Sequence, residues 1–323
     1  MKAVVTGGAG FIGSHLVDYL LAGGREVVVL DDMSTGKADN LRAVDGHPLL
    51  RVVHGSICDG RTVDRCVAGA EVVYHLAAAV GVFTIRDRPL ESIRTNILGT
   101  ENVLTAAVRH NARVLVASTS EIYGLNTKIG LAEDDVRIMG SPVQSRWSYS
   151  DAKAIDETMS MTFFAQYGLG AVIVRLFNTV GARQSGRYGM VIPRFVAQAL
   201  AGDPLTVYGD GRQIRCFCHV LDVVPALARL VADESAHGKA FNLGSSDPVT
   251  IGDLARRVIT ATGSTSDIVH VPYGQAHYPG FQDVPRRVPD CRRAREQVGF
   301  APTRTLDDII HDIVEASKLE VAI

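Results

Sequence analysis

Tyr149 and Lys153 stand four residues apart, at the start of a run with apolar residues at Ile155, Met159, Phe163 and Phe164. If that run is a helix, the two side chains share one face. A phenol is a poor base at neutral pH, because its reference pKa is about 10. An ammonium one turn away favours the phenolate and lets Tyr149 take a proton from a substrate alcohol. A Tyr-x-x-x-Lys string alone is common, so the chemistry rests on what else the chain supplies. Thr119 follows the strand-like run Arg113 to Ala117. A hydroxyl there can hold an alcohol while Tyr149 removes its proton and a nicotinamide takes the hydride from the same carbon.

These residues need elements to position them. Lys2 to Thr6 is a short β-branched run, followed by Gly7, Gly10 and Gly13 in a Gly-x-x-Gly-x-x-Gly spacing, then a helical run from Ser14 to Ala22. Glu26 to Leu30 is a second strand and ends in Asp31-Asp32. This is a βαβ unit whose glycines let the backbone approach a pyrophosphate at a helix N-terminus. Asp31 is placed to accept from the ribose hydroxyls and to repel a 2′-phosphate, so NAD is expected over NADP.

The alternation continues. Leu50–His54, Glu71–His75, Arg113–Ala117 and Ala171–Leu176 read as strands; Gly60–Val67, Pro89–His110 and Ser148–Gln166 read as helices. Strands separated by helices predict an α/β chain with a Rossmann-type doubly wound parallel sheet. Ser56 and Ile57 follow the third strand, where an adenine packs. Ala77 and Ala78, after Leu76 at the end of the fourth, can admit the nicotinamide-side phosphates. Plain turn chemistry explains both places equally well.

After Arg175 the pattern weakens. Helices are expected at Ile192–Ala201, Val220–Ala232, Thr250–Thr262 and Leu306–Ile313, and strands at Leu205–Tyr208 and Ala240–Leu243. A loop with Pro272, Pro279, Pro285 and Pro289 lies between the last two helices. The expected organisation is an NAD-binding domain of residues 1–177 plus 213–243, with a smaller α/β substrate-binding lobe of 178–212 plus 244–323. Ligands of such folds lie at the carboxyl ends of the strands.

The 323 residues are 46% hydrophobic and 21% charged, with a net charge of −2. That balance gives no electrostatic footprint for nucleic acid or an anionic membrane. No apolar run approaches the roughly 20 residues of a membrane span. The N-terminus enters a strand without a signal-peptide pattern. Five cysteines without zinc spacing read as reduced thiols of a cytoplasmic protein, and no metal site is expected.

With these residues in place, the sequence resembles the extended short-chain dehydrogenase/reductases that modify nucleotide sugars: epimerases, 4,6-dehydratases and decarboxylases. The resemblance spans nearly the whole chain. It rests on Thr6-Gly7-Gly8-Ala9-Gly10-Phe11-Ile12-Gly13, Asp31, His75-Leu76-Ala77-Ala78, Ser118 to Gly124, Tyr149 with Lys153, Arg175-Leu176-Phe177-Asn178 and Val207 to Gly211. It implies tightly bound NAD, held by Gly7, Gly10, Phe11, Ile12, Gly13, Asp31, Asp32, Ser56, Ile57, Leu76, Ala77 and Ala78 together with Tyr149 and Lys153. It also implies oxidation of the sugar at C4 and return of the hydride later in the cycle. Asn178, Arg215 and one of Arg286 and Arg287 would hold the nucleotide diphosphate. The family usually has an acid at the adenine turn, where this chain has Ser56.

The reaction after C4 oxidation turns on a few positions. A dehydratase uses Thr-Asp-Glu; this chain has Thr119-Ser120-Glu121, without the middle acid. Thr-Ser-Glu is similar to the UDP-glucuronate decarboxylases, as are Arg146-Trp147-Ser148-Tyr149, Gly280-Phe281-Gln282-Asp283 and Arg287-Val288-Pro289-Asp290. In that group an Arg matching Arg287 lies near the sugar carboxylate. Glu121 is a catalytic candidate or a positioner of water; Ser120 and Arg194 are substrate-binding candidates. Arg183 and Arg187 are further candidate carboxylate partners. Decarboxylation of a UDP-hexuronic acid therefore leads. A 4-epimerase of a UDP-hexose or UDP-hexuronate, an NDP-glucose 4,6-dehydratase and a non-catalytic NAD-binding sensor are the alternatives. A homodimer through Pro89–His110 and Ser148–Gln166 is expected.

Overall fold

The computed structural model describes residues 1–80, 88–186, 190–276 and 283–321. Seven parallel strands form the main sheet: β1 (Lys2–Thr6), β2 (Glu26–Asp31), β3 (Leu50–His54), β4 (Val72–His75), β5 (Arg113–Thr119), β6 (Ala171–Leu176) and β11 (Lys239–Leu243). Their order is β11-β6-β5-β4-β1-β2-β3. The order reverses at β1, and because all strands run the same way, Thr6, Asp31, His75 and Thr119 end at one edge. Central strands such as Ala3-Val4-Val5 and Val114-Leu115-Val116 are solvent-free on both faces. Continuous apolar runs of this kind are what a sheet covered by helices on both sides requires.

Helices α1 (Phe11–Ala22) and α6 (Val220–Ala232) cover one face; α2 (Gly60–Val67), α3 (Pro89–Arg109) and α4 (Ser148–Tyr167) belong to the other. Away from the sheet, α5 (Val191–Ala201), α7 (Ile251–Thr262) and α9 (Leu306–Val321) enclose a separate apolar cluster around Phe195, Leu254 and Ile309. Two small sheets belong to this region. β8 (Leu205–Tyr208) pairs with β13 (Ile268–Val271), and β9 (Ile214–Cys216) lies between β12 (Pro248–Thr250) and β14 (Arg286–Arg287). The segment from 263 to 305, expected as a loop, thus contributes β13, β14 and α8 (Arg292–Val298). The α8 residue Ala294, with Phe300 beyond it, packs into the core of the main sheet. The last helix runs to Val321, beyond the expected Ile313.

Candidate functional site

The glycine turn between β1 and α1 is built for close backbone approach. Gly7 has φ +70°, and a Cβ on Gly13 would lie 2.1 Å from the Gly7 carbonyl oxygen. Gly10 caps α1 without a side-chain hydrogen bond, so no side chain fills the helix N-terminus. Such a terminus, with amides open and no Cβ in the way, fits a pyrophosphate. Asp31 is buried, and its two oxygens accept from the Ala9 and Met33 amides at 2.9 Å each. It therefore braces the glycine turn, while its remaining lone pairs can receive ribose hydroxyls. Burial pushes its carboxyl up and the two amides oppose that. Asp32 accepts only from the Ser34 amide, in an exposed turn.

At the adenine turn, the Ser56 hydroxyl accepts from the Cys58 amide at 3.2 Å. Ile57 is buried, and its carbonyl accepts from Asn102 of α3. After β4, the Leu76 amide donates to the Thr6 carbonyl and the Ala77 amide to the Thr6 hydroxyl. Ala78 is half-buried beside them. These three turns line the carboxyl edge of β1, β3 and β4.

The catalytic candidates converge one strand further on. Thr119 ends β5 and caps the 3-10 turn Ser120–Tyr123, its hydroxyl oxygen accepting from the Glu121 amide at 3.1 Å. That leaves the Thr119 proton to turn towards the Tyr149 phenol, whose pKa Thr119 lowers. Gly124 closes the turn at φ +60°, where a Cβ would meet the Ile138 carbonyl at 2.2 Å. Tyr149 lies in the first turn of α4 and is buried. Burial pushes its phenol above its ordinary value, Glu121 and Asp156 add to this, and Thr119 opposes it. Lys153 is 2% exposed, and its Nζ lies 3.1 Å from Asp156 Oδ2. Tyr149 and Lys153 stand four residues apart on one helix, and the lysine is paired with a carboxylate. Nothing in the sequence reading assigned Asp156 a role; a carboxylate three residues after Lys153 on the same helix is the signal that marks it.

Glu121 is gripped from two sides. Arg146 donates to Oε2 at 2.6 Å, and Arg287 donates to Oε1. Burial would raise the Glu121 carboxyl, but Arg287 and Arg146 overcome it and hold it well below the usual carboxylate range. Arg287 arrives through β14, which pairs in parallel with β9 and sets Arg287 opposite Arg215. It is 4% exposed, and its Nε and one terminal nitrogen have no hydrogen-bond partner. Alternation along the strand turns Arg286 to the other face, which separates the two neighbouring arginines. Arg146 lies 5.0 Å over the ring of Trp147, which is fully buried.

The remaining candidates sit around this centre or apart from it. Ser120 is buried in the turn. Asn178, at φ +36°, donates to the Cys216 carbonyl. Arg215 donates to the Val284 carbonyl and to Asp283, which also accepts from Tyr273. Arg194 stacks 4.2 Å from the Tyr208 ring centre and donates to the Thr206 carbonyl, within the outer region. Arg183 pairs with Asp18 of α1 at 2.8 Å, away from Glu121. Arg187, Gly280, Phe281 and Gln282 lie outside the described residues. His75, to which the sequence assigned no role, is buried and bonded to Thr6 and Thr100.

Known proteins resemble this chain along nearly its whole length. UDP-N-acetyl-alpha-D-glucosaminuronate decarboxylase of Bacillus cytotoxicus is 39% identical over 97% of both chains. UDP-glucuronic acid decarboxylase 1 of Danio rerio is 33% identical over 99% of this chain and 73% of its own. The crystal structure of UDP-glucuronic acid 4-epimerase from Bacillus cereus, in complex with UDP-glucuronic acid and NAD, superposes with a TM-score of 0.89 at 26% identity. That match covers 99% of this chain and all of the other. The family described as GDP-mannose 4,6 dehydratase matches residues 4–313, so the chain is an enzyme of that family, within the extended short-chain dehydrogenase/reductases.

Proposed function

We propose that this enzyme is an NAD-dependent decarboxylase of a UDP-hexuronic acid. The observation that carries the reading is the Arg146–Glu121–Arg287 cluster beside Thr119, in which Arg287 keeps buried donors without partners. A planar guanidinium with two open donors matches a carboxylate, which a hexuronate presents at C6 and a hexose does not. The decarboxylase relatives support the same choice.

The glycine turn, Asp31, the Ala77 turn and the Tyr149/Lys153 face would hold NAD, which would supply hydride acceptance and return at C4. Thr119 and Tyr149 hold the C4 hydroxyl, and Tyr149 takes its proton. With C4 a ketone, the C5 carboxylate is β to a carbonyl. The C5–C6 bond then breaks, CO2 leaves, and the electron pair passes into an enolate at C4. Hydrogen bonds from Tyr149 and Thr119 stabilise that oxygen. A water positioned by Glu121 returns a proton to C5. Ser120 offers no acid for a C6 hydroxyl, which disfavours dehydration. Asn178 and Arg215 are assigned to the diphosphate, which lies between the carboxyl edge of the sheet and the lobe of 178–212 and 244–323.

The protein is further proposed to be a homodimer. Leu90 and Leu98 of α3, and Ile155, Met161 and Phe164 of α4, are apolar side chains left exposed along the two expected helices. A cytoplasmic setting suits its free cysteines. Among the described residues no helix is long and apolar enough to cross a membrane.

The deciding experiment incubates the NAD-loaded enzyme with UDP-glucuronate and with UDP-N-acetylglucosaminuronate and follows CO2 and sugar configuration. Stoichiometric CO2 from either is expected. A 4-epimeric uronate formed without CO2 overturns the reading.

A further inference from the structure

Helix α4 carries a carboxylate that the chemistry above does not use. Asp156 is fully buried, and its Oδ2 faces the Lys153 ammonium at 3.1 Å. Neither oxygen makes a well-directed hydrogen bond. What meets them is the ammonium and the Thr100 hydroxyl of α3. Thr100 also bonds His75 Nε2 at 3.1 Å, and His75 Nδ1 bonds the Thr6 hydroxyl at 2.8 Å. A polar thread thus runs through dry interior from Lys153 to the strand end that faces the glycine turn.

A buried carboxylate with poor hydrogen bonds is destabilising, because its desolvation is not offset, and an apolar residue would avoid that. Its placement against the lysine is therefore functional rather than stabilising. We propose that Asp156 is a positioning residue: it holds the Lys153 side chain on the face shared with Tyr149 and, by its own charge beside the phenol, sets the pH range over which Tyr149 exchanges its proton. The inference rests on the reading that Tyr149 and Lys153 serve C4 oxidation.

The other groups facing this pair do not replace Asp156. Glu121 bears on Tyr149 from the β5 side, but Arg146 and Arg287 hold it there, and its ion pairs are with them and not with Lys153. Glu157, next on the helix, is engaged by Arg175. His75 faces Lys153 from β4, and burial, reinforced by Lys153, keeps its ring neutral. Thr100 and Thr119 carry no charge. Among the described residues, Asp156 is the carboxylate paired with Lys153. Its negative charge opposes the phenolate. Removing that charge lets the Tyr149 proton leave sooner.

The test compares Asp156→Asn and Asp156→Glu with the parent protein, all loaded with NAD. One readout is the pH profile of bound-NAD reduction by UDP-glucuronate. The other needs no substrate: the tyrosinate absorbance of Tyr149, taken as the difference from the matching Tyr149→Phe variant. In Asp156→Asn, the acid limb of the profile and the onset of tyrosinate move to lower pH by about one unit. In Asp156→Glu both stay in place. A profile that falls in height without moving, with an unmoved tyrosinate onset, overturns the proposal. NAD reduction with the expected shift but no CO2 overturns the decarboxylase reading alone. If UDP-glucuronate reduces no NAD, the tyrosinate onset decides.

Discussion

Two arginine–glutamate clusters lie on either side of the turn that follows β5, and they are built differently. In the first, Arg175 grips Glu157 with two parallel bonds, at 2.9 Å to Oε1 and 2.7 Å to Oε2. Its other donor reaches the Tyr123 hydroxyl and the Glu133 carbonyl. Ser118 donates to Glu157, and the Tyr123 hydroxyl donates to Asn242 Oδ1. The valences are filled. In the second, two guanidiniums share one carboxylate, Glu121, and Arg287 retains donors that nothing accepts. A filled cluster locks a fold; an unfilled one with excess positive charge waits for an anion. The difference separates an arginine that holds the fold from one poised for substrate, although both are mostly buried.

The sharpest way to break this comparison is Arg287→Met. The side chain keeps its volume but loses the donors aimed at the sugar carboxylate. CO2 release from a UDP-hexuronate is expected to fall about 10³-fold, about 4 kcal/mol of transition-state stabilisation. The thermal midpoint should fall less than when the filled cluster is broken, because Glu121 keeps Arg146 and two of the three Arg287 nitrogens had no partner. Steady-state CO2 assays and a melting curve on the same preparation check both halves. A collapse in stability with activity kept would place Arg287 in the structural class.

Arg175→Met is the mirror experiment. It leaves Glu157 buried without its guanidinium, and breaking such a pair costs about 3 kcal/mol of stability. Urea unfolding should show the loss. Per folded molecule, the bound nucleotide sugar should be turned over at nearly the parent rate. Unchanged unfolding would mean that the filled cluster contributes nothing, and the comparison would fail from its other side.

Sequence and structure agree unevenly across the same two regions. The first cluster was only half legible: Arg175-Leu176-Phe177-Asn178 marks the family, but nothing in the string pairs Arg175 with Glu157. The main sheet was legible because each central strand is an unbroken apolar run, and the glycine spacing fixes where α1 begins. β2 and β5 simply extend further, to Asp31 and Thr119, as strands do when their last residues are still paired. The small sheets were not legible, because β7 (Thr179–Val180), β9 and β14 are two or three residues long and have no periodicity to read. β14 consists of two arginines, a poor strand sequence held by its partner β9. That pairing alone decides that Arg287, and not Arg286, turns towards Glu121. Asp156 was hidden for the opposite reason. Its helix was legible, but nothing in the string shows that Asp156 is buried beside Lys153.

Glu121→Gln gives the smallest effect and tests the charge count within the open cluster. Glutamine keeps an oxygen for Arg287 but removes the negative charge that partly cancels the two arginines. Arg287 then presents more of its charge to a carboxylate, so KM for a UDP-hexuronate should fall, by about threefold. The water placed for C5 loses its acceptor, and kcat should fall about tenfold. Glu121 also opposes the Tyr149 phenolate, so removing its charge lowers the phenol's pKa, and the acid limb of kcat moves to lower pH. The three changes run in different directions on different parameters. A merely structural Glu121 would lower kcat and weaken binding together and leave the acid limb in place, which full pH-dependent kinetics of the variant distinguishes.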